Sequence, residues 1–202
     1  MTAATKRHSF ATAAALLLAL LAGACGPATW YPEPLRSLYD RESLSVAAKD
    51  GSVPTIVRGS PFGAAQAAFA ETVTGLMKGQ HFGPMVTFAP RDVAAPRAGY
   101  RVVMLFDSDL ATGPEGLCGN VSAIPIVPAA AAPGTGAART VKVAAAFCVG
   151  NRLMSTVFGQ AAAAGPDDDA FRALVRQLTQ DLFPPFNPEF NGQGNIKSAA
   201  LF

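Results

Sequence analysis

His81 is the one histidine beyond the first ten residues, and the acids best placed for chemistry are Asp107, Asp109 and Glu115, in Phe-Asp-Ser-Asp-Leu-Ala-Thr-Gly-Pro-Glu-Gly. An imidazole and a carboxylate sharing a cleft could relay protons in a hydrolysis, and closely spaced carboxylates could hold calcium. Asp107 and Asp109 have the first two ligand spacings of an EF-type loop. Ala111 then fails the third, Thr112 stands at the loop glycine, and Cys118 stands at the bidentate glutamate. Turn capping explains the cluster more simply. A Ser/His/Asp triad would have to use His81, and no Gly-x-Ser-x-Gly elbow supplies its nucleophile. A single histidine is a poor basis for a zinc site. The Gly134-Thr135-Gly136 turn lacks the lysine of a phosphate loop. The residues therefore predict no catalytic, metal or cofactor site, with His81 in a loop after a helix.

Whatever the chain does must rest on how its elements present a surface. Ser52 to Arg58, with Val53, Ile56 and Val57, suits a strand. Ser60 as N-cap and Pro61 at the first helical position predict a helix to about Lys78, its stripe Phe62, Phe69, Val73, Leu76 and Met77, with Gly79 as terminator. Met85 to Ala89 is a short strand candidate. Tyr100 to Phe106, apolar at alternate and intervening positions, reads as a central strand. Residues 152–165 are alanine-rich and give no clear pattern. Pro166 and the run Asp167, Asp168 and Asp169 open a last helix, its buried stripe Phe171, Leu174, Val175, Leu178 and Leu182, stopped by Pro184-Pro185.

The chain starts with Lys6 and Arg7 as its only early charges, then an uncharged apolar run from Phe10 to Leu21. That pattern fits a secretory signal and is too short for the roughly 20 residues of a spanning helix. It ends in Leu21-Ala22-Gly23-Ala24-Cys25-Gly26, which resembles the lipobox of bacterial lipoproteins, departing from it in having Ala22 where leucine is usual. The resemblance implies diacylglyceryl modification of Cys25, cleavage before it and acylation of the new amine. Two or three chains, at about 0.8 kcal/mol per buried methylene, give stable anchoring. In enterobacterial lipoproteins aspartate after the cysteine marks retention in the inner membrane. Gly26 at that place implies the outer membrane, facing the periplasm. Removing 24 of 202 residues leaves 178, and with Lys6 and Arg7 gone Lys+Arg falls from 16 to 14, equal to Asp+Glu at 14. A neutral, exported chain without a basic cluster is not expected to bind nucleic acid.

With Cys25 assigned to lipid by that resemblance, Cys118 and Cys148 remain in an oxidising compartment and are expected to pair as a disulfide. Val121 to Val127 and Thr140 to Phe147 flank the turn-rich Pro133-Gly134-Thr135-Gly136 and predict a hairpin whose open end the two cysteines close. No Cys-x-x-Cys spacing favours a redox role.

The expected organisation is a signal peptide over 1–24, an acylated proline-rich tether over 25–51, a periplasmic domain over 52–185 and a loose tail over 186–202. The expected fold is an α+β two-layer sandwich, one mixed or antiparallel sheet of about five strands covered by two helices. The expected function is non-enzymatic. It is a membrane-anchored envelope module binding another envelope protein or a cell-wall component, without cofactors, and presenting an exposed apolar or sheet-edge patch. The competing expectation is a hydrolase of envelope polymer or lipid using Asp107 and Asp109 with His81. A small-ligand or metal carrier, the third, would need a pocket of roughly 300 Å³ or more.

Overall fold

The computed structural model describes residues 28–30, 38–92, 99–108, 114–127 and 137–185. Its elements are β1 (Ala28–Trp30), α1 (Arg41–Ala47), β2 (Ser52–Arg58), α2 (Gln66–Met77), β3 (Thr87–Arg91), β4 (Tyr100–Phe106), β5 (Arg139–Val149), β6 (Arg152–Ala163) and α3 (Asp169–Leu182), with 3-10 turns at Pro114–Cys118 and Val121–Ala123. The strands form one mixed sheet in the order β1-β6-β5-β4-β2-β3, with β2 parallel to β3 and β4 and the other pairs antiparallel. This is the expected α+β sandwich. The short strand β1 brings the number of strands to six.

One face of the sheet packs against α2 and α3. Phe69, Val73 and Met77 from α2 meet Phe171, Leu174, Val175 and Leu178 from α3 over Val57, Val102, Met104, Phe106 and Phe147 of the sheet. The rings of Phe69 and Phe106 meet edge to face at 4.9 Å, and Phe62 stands edge to face on Phe171 at 5.2 Å. Such pairs contribute about 0.5–1.5 kcal/mol beyond area burial. The α3 stripe is buried as the sequence predicts, and Asp168 caps the helix by accepting from Ala170 N at 2.9 Å, while its other oxygen accepts from Ala164 N of the preceding loop at 3.0 Å. α3 sits close to β6 because Gly159 has no side chain. A Cβ there would lie 2.8 Å from Leu174 Cδ1.

Among the described residues, the other face carries no α-helix. Leu117, Cys118, Val121 and Ile124, from the segment 114–127, cover Ile56, Val103, Leu105, Ala144, Ala146 and Phe158. This overturns the expected hairpin between Val121–Val127 and β5. Val121–Ala123 is a 3-10 turn, and the residues after it meet the sheet in an isolated bridge between Ser108 and Ile126 rather than a ladder. The partner of β5 is β6, joined by Gly150-Asn151 with Gly150 at φ 57. A glycine first in a two-residue loop suits the twist of a hairpin. Residues 152–163 are thus a strand, although alanine is a poor strand former, because both neighbours and both faces bury it.

Two helix and linker boundaries also move. α2 begins at Gln66 because Ser60 Oγ donates to Ala64 O at 2.8 Å and so caps nothing, and Gly63 at φ 72 breaks the helical path. The segment expected to be a free tether contributes to the domain. β1 pairs with β6, Tyr39 is buried against Phe147 and Phe183, and Leu44 of α1 is fully buried. Asp40 caps α1 by accepting from Ser43 N at 2.6 Å. The expected signal peptide, Cys25 and the tail over 186–202 lie outside the described residues.

Candidate functional site

His81 sits where the sequence placed it, in the loop after α2. Its Nε2 lies 2.8 Å from Pro84 O, so this nitrogen carries the proton and donates to the carbonyl. The ring stands edge to face on Phe88 at 5.5 Å and Phe183 at 6.3 Å. The imidazole thus braces a loop against the core.

Asp107 lies at the other end of the sheet. Phe88 pairs with Val53, and Thr55, two residues on, pairs with Val102, so Phe88 is level with Tyr100 of β4. Asp107 is seven residues further along, about 23 Å at 3.3 Å per residue. The structure therefore does not bring Asp107 and His81 together. Asp109 lies outside the described residues, as does the side chain of Glu115.

Asp107 is instead a structural node. It adopts a left-handed φ of 48, a conformation that aspartate tolerates better than most residues. Its Oδ1 accepts from Lys142 N at 3.1 Å, and its Oδ2 forms an ion pair with Arg139 at 2.7 Å. Arg139 also donates to Pro61 O at 2.6 Å. The turn after β4, the start of β5 and the loop after β2 are thereby tied at one point. Both carboxylate oxygens of Asp107 are engaged in bonds within the fold.

Cys118 and Cys148 form the expected disulfide, with Cα atoms 5.6 Å apart and both residues fully buried. It pins the 114–127 cover to the centre of the sheet, a different task from closing a hairpin. Two arginines that sequence reasoning did not single out complete the attachment. Arg101, 4% exposed, donates to Cys118 O at 2.6 Å and Gly150 O at 2.7 Å, and Arg58 donates to Val121 O. The signal for Arg101 was a lone charge within an otherwise apolar central strand. Such a charge has to find carbonyls when buried.

Two surface features remain. A cavity of about 580 Å³ opens at the ends of β2 and β3 beside the start of α2, lined among others by Arg58, Gln66, Glu71, Pro90, Arg91 and Asp92. Its charges are of mixed sign, Val57, Ala67 and Ala70 add apolar wall, and its volume exceeds the roughly 300 Å³ that a small-ligand carrier would need. The second feature is apolar. Phe82 is 46% exposed and Met85 98% exposed, both in the loop braced by His81, and Val46 is 49% exposed on α1, which this loop approaches at Arg41. Sequence reasoning had assigned Met85 to the following strand. The signal missed was an apolar pair among Gly79, Gly83 and Pro84, residues that keep a loop at the surface. Among the described residues, no three His, Cys, Asp or Glu side chains converge as a metal site would require, and no helix is long and apolar enough to cross a membrane.

No family model matches the sequence, and no curated protein matches it. The chain is similar in structure to the PelC dodecamer from Paraburkholderia phytofirmans, at a TM-score of 0.41 and 7% identity, covering 77% of this chain and 98% of that one. A point variant of the same PelC dodecamer gives a TM-score of 0.39 at 10% identity, covering 77% of this chain and 97% of that one.

Proposed function

We propose that the chain is a lipid-anchored, non-enzymatic module of the bacterial envelope that binds a partner protein through the corner formed by Phe82 and Met85. The observation that carries this reading is the exposure of those two side chains in a loop that is not free to fold them in, since His81 holds it to Pro84 and to the rings behind. Full burial of a side chain such as Phe or Met contributes about 1.5–3 kcal/mol. Two of them on a braced loop are a small anchor for an apolar recess on another protein. The anchor itself rests on the lipobox-like ending at Cys25, and the outer-membrane address on Gly26.

The hydrolase reading loses one of its two carboxylates, Asp109 lying outside the described residues. Asp107 is consumed by structural bonds and stands about 23 Å along the sheet from the level of His81.

The test has two arms. Intact mass and membrane fractionation of wild type and Cys25→Ala check the anchor: acyl mass and membrane partition in the wild type alone are expected, and an unmodified soluble wild type would refute it. A photo-crosslinker at Met85, in cells, checks the binding corner. A discrete adduct absent when Phe82→Ser is added, and absent with the crosslinker on exposed Glu71, is expected. The same adducts from both positions would refute a specific site.

A further inference from the structure

Strand β1 begins three residues after Cys25, and it is hydrogen-bonded into the sheet, with Ala28 opposite Gln160 and Trp30 opposite Phe158. Between the cysteine and the folded domain there are only Gly26 and Pro27. A fully extended chain gains at most about 3.3–3.6 Å per residue, so Ala28 lies within about 11 Å of Cys25. Resting on the lipidation of Cys25 proposed above, we propose that the domain is seated directly on the lipid surface by the corner where β1 joins β6, with the Phe82–Met85 loop as its membrane-distal tip.

The sheet sets the diagonal. β1 is one edge and β3 the other, five strand spacings apart in the order β1-β6-β5-β4-β2-β3, or about 24 Å at 4.8 Å each. Along the strands, Ala28 is level with Gln160 and hence Lys142, beside Asp107, whereas the His81 loop precedes β3 at the level of Tyr100. That is about 23 Å more. The Phe82–Met85 loop therefore stands at the corner diagonally opposite the attachment, about 33 Å away across the sheet.

Nothing among the described residues would lay the sandwich flat on lipid. The outer side of α3 mixes Arg172 and Arg176 with Asp169 and Asp181, and Arg172 is already paired with Asp167 at 2.9 Å. The described part of the cover exposes Val127 as its one large apolar side chain. A neutral surface gains little from anionic headgroups, for which a basic cluster is the usual signature. The acyl chains alone then set the contact, at the end of a two-residue leash. The apolar corner is left for a partner that approaches from the aqueous side.

The acylated protein in liposomes containing nitroxide-headgroup phospholipid tests this. Bimane is attached to a single cysteine introduced as Lys142→Cys or as Met85→Cys, both exposed positions, while Cys118 and Cys148 stay paired and buried. Several-fold stronger quenching at 142 than at 85 is expected. It should be lost when a Gly/Ser linker of about twenty residues, with a root-mean-square span of about 25 Å, is inserted between Pro27 and Ala28. Equal quenching, or stronger quenching at 85, in protein whose intact mass shows the acyl chains would overturn the seating while leaving the anchor in place. A mass without acyl chains would overturn the anchor and the seating together.

Discussion

At the scale of single residues, the sharpest constraints are backbone positions with no room for a side chain and one buried hydroxyl. Gly59 has φ 88, and a Cβ there would sit 2.3 Å from Phe106 O, a backbone atom that cannot swing away. Gly59→Ala should therefore cost more than the ordinary 1–2 kcal/mol of a left-handed residue, about 2–4 kcal/mol in a urea titration. An unchanged midpoint would mean that the loop after β2 yields to a side chain at 59. Tyr39, 1% exposed, has its phenol pushed up from 10.0 to about 12, by burial first, with Asp40 adding and Arg41 opposing. A raised folded-state value means that the neutral form is favoured in the fold. The contribution is complete below pH 10 and is lost as pH climbs from 10 to about 12. Two units correspond to about 2–3 kcal/mol as an upper figure. Stability measured from pH 9 to 12 should fall more steeply in the wild type than in Tyr39→Phe, and parallel profiles would assign the loss to other groups.

At the scale of elements, what the sequence made legible was whatever had a strong period, whereas the cap read at Ser60-Pro61 placed the start of α2 too early. The central strand Tyr100–Phe106 and the stripe of α3 needed only their own residues to be read, because an apolar strand is central and an amphipathic helix faces a sheet. The disulfide was legible from compartment and count, but its geometry was not. The apolar run from Val121 looks like a strand, yet the disulfide and Arg101 fix Cys118 just before it and Arg58 holds Val121 O, and residues 121–123 form a 3-10 turn. β6 hid behind alanines, which owe their strand conformation to neighbours that a local window does not contain. The Gly150-Asn151 pair was the one local hint. Helix α3 gives a test at this scale. Gly159→Val would drive a branched side chain into Leu174 and Leu178, 2.8 and 3.0 Å from the first carbon alone. Overpacking of this kind costs about 1–3 kcal/mol, and a thermal melt should show it. A neutral result would mean that α3 slides freely on β6. Of the candidate site, His81 and Asp107 were placed correctly as loop and turn residues. The Phe82–Met85 corner was not legible, because exposure of an apolar side chain depends on what the rest of the chain fails to cover.

For the whole molecule, the two faces of the sheet are held by different means. The helical face buries a wide aromatic and aliphatic cluster that needs no covalent help, whereas among the described residues the second face is covered by the irregular segment 114–127, with few side chains of its own. Its attachment depends on the Cys118–Cys148 bond and on the carbonyl contacts of Arg101 and Arg58. The bond joins residues 30 apart in sequence, for which chain entropy gives about 3–4 kcal/mol. Replacing both cysteines, Cys118→Ser with Cys148→Ser, should lower the unfolding free energy from a urea titration by that order, and the loss should be uneven across the molecule. Amide exchange should quicken first in the 114–127 cover and on β4 and β5 where the cover lay, while α2, α3 and the core between them stay protected until global unfolding. Dye binding to the uncovered face, lined by Ile56, Val103, Leu105 and Ala144, should rise at urea concentrations where the helical signal is intact. Simultaneous loss of both faces would instead show that the sheet transmits the opening at once, and that the cover is part of one cooperative unit rather than a separately fastened lid on it.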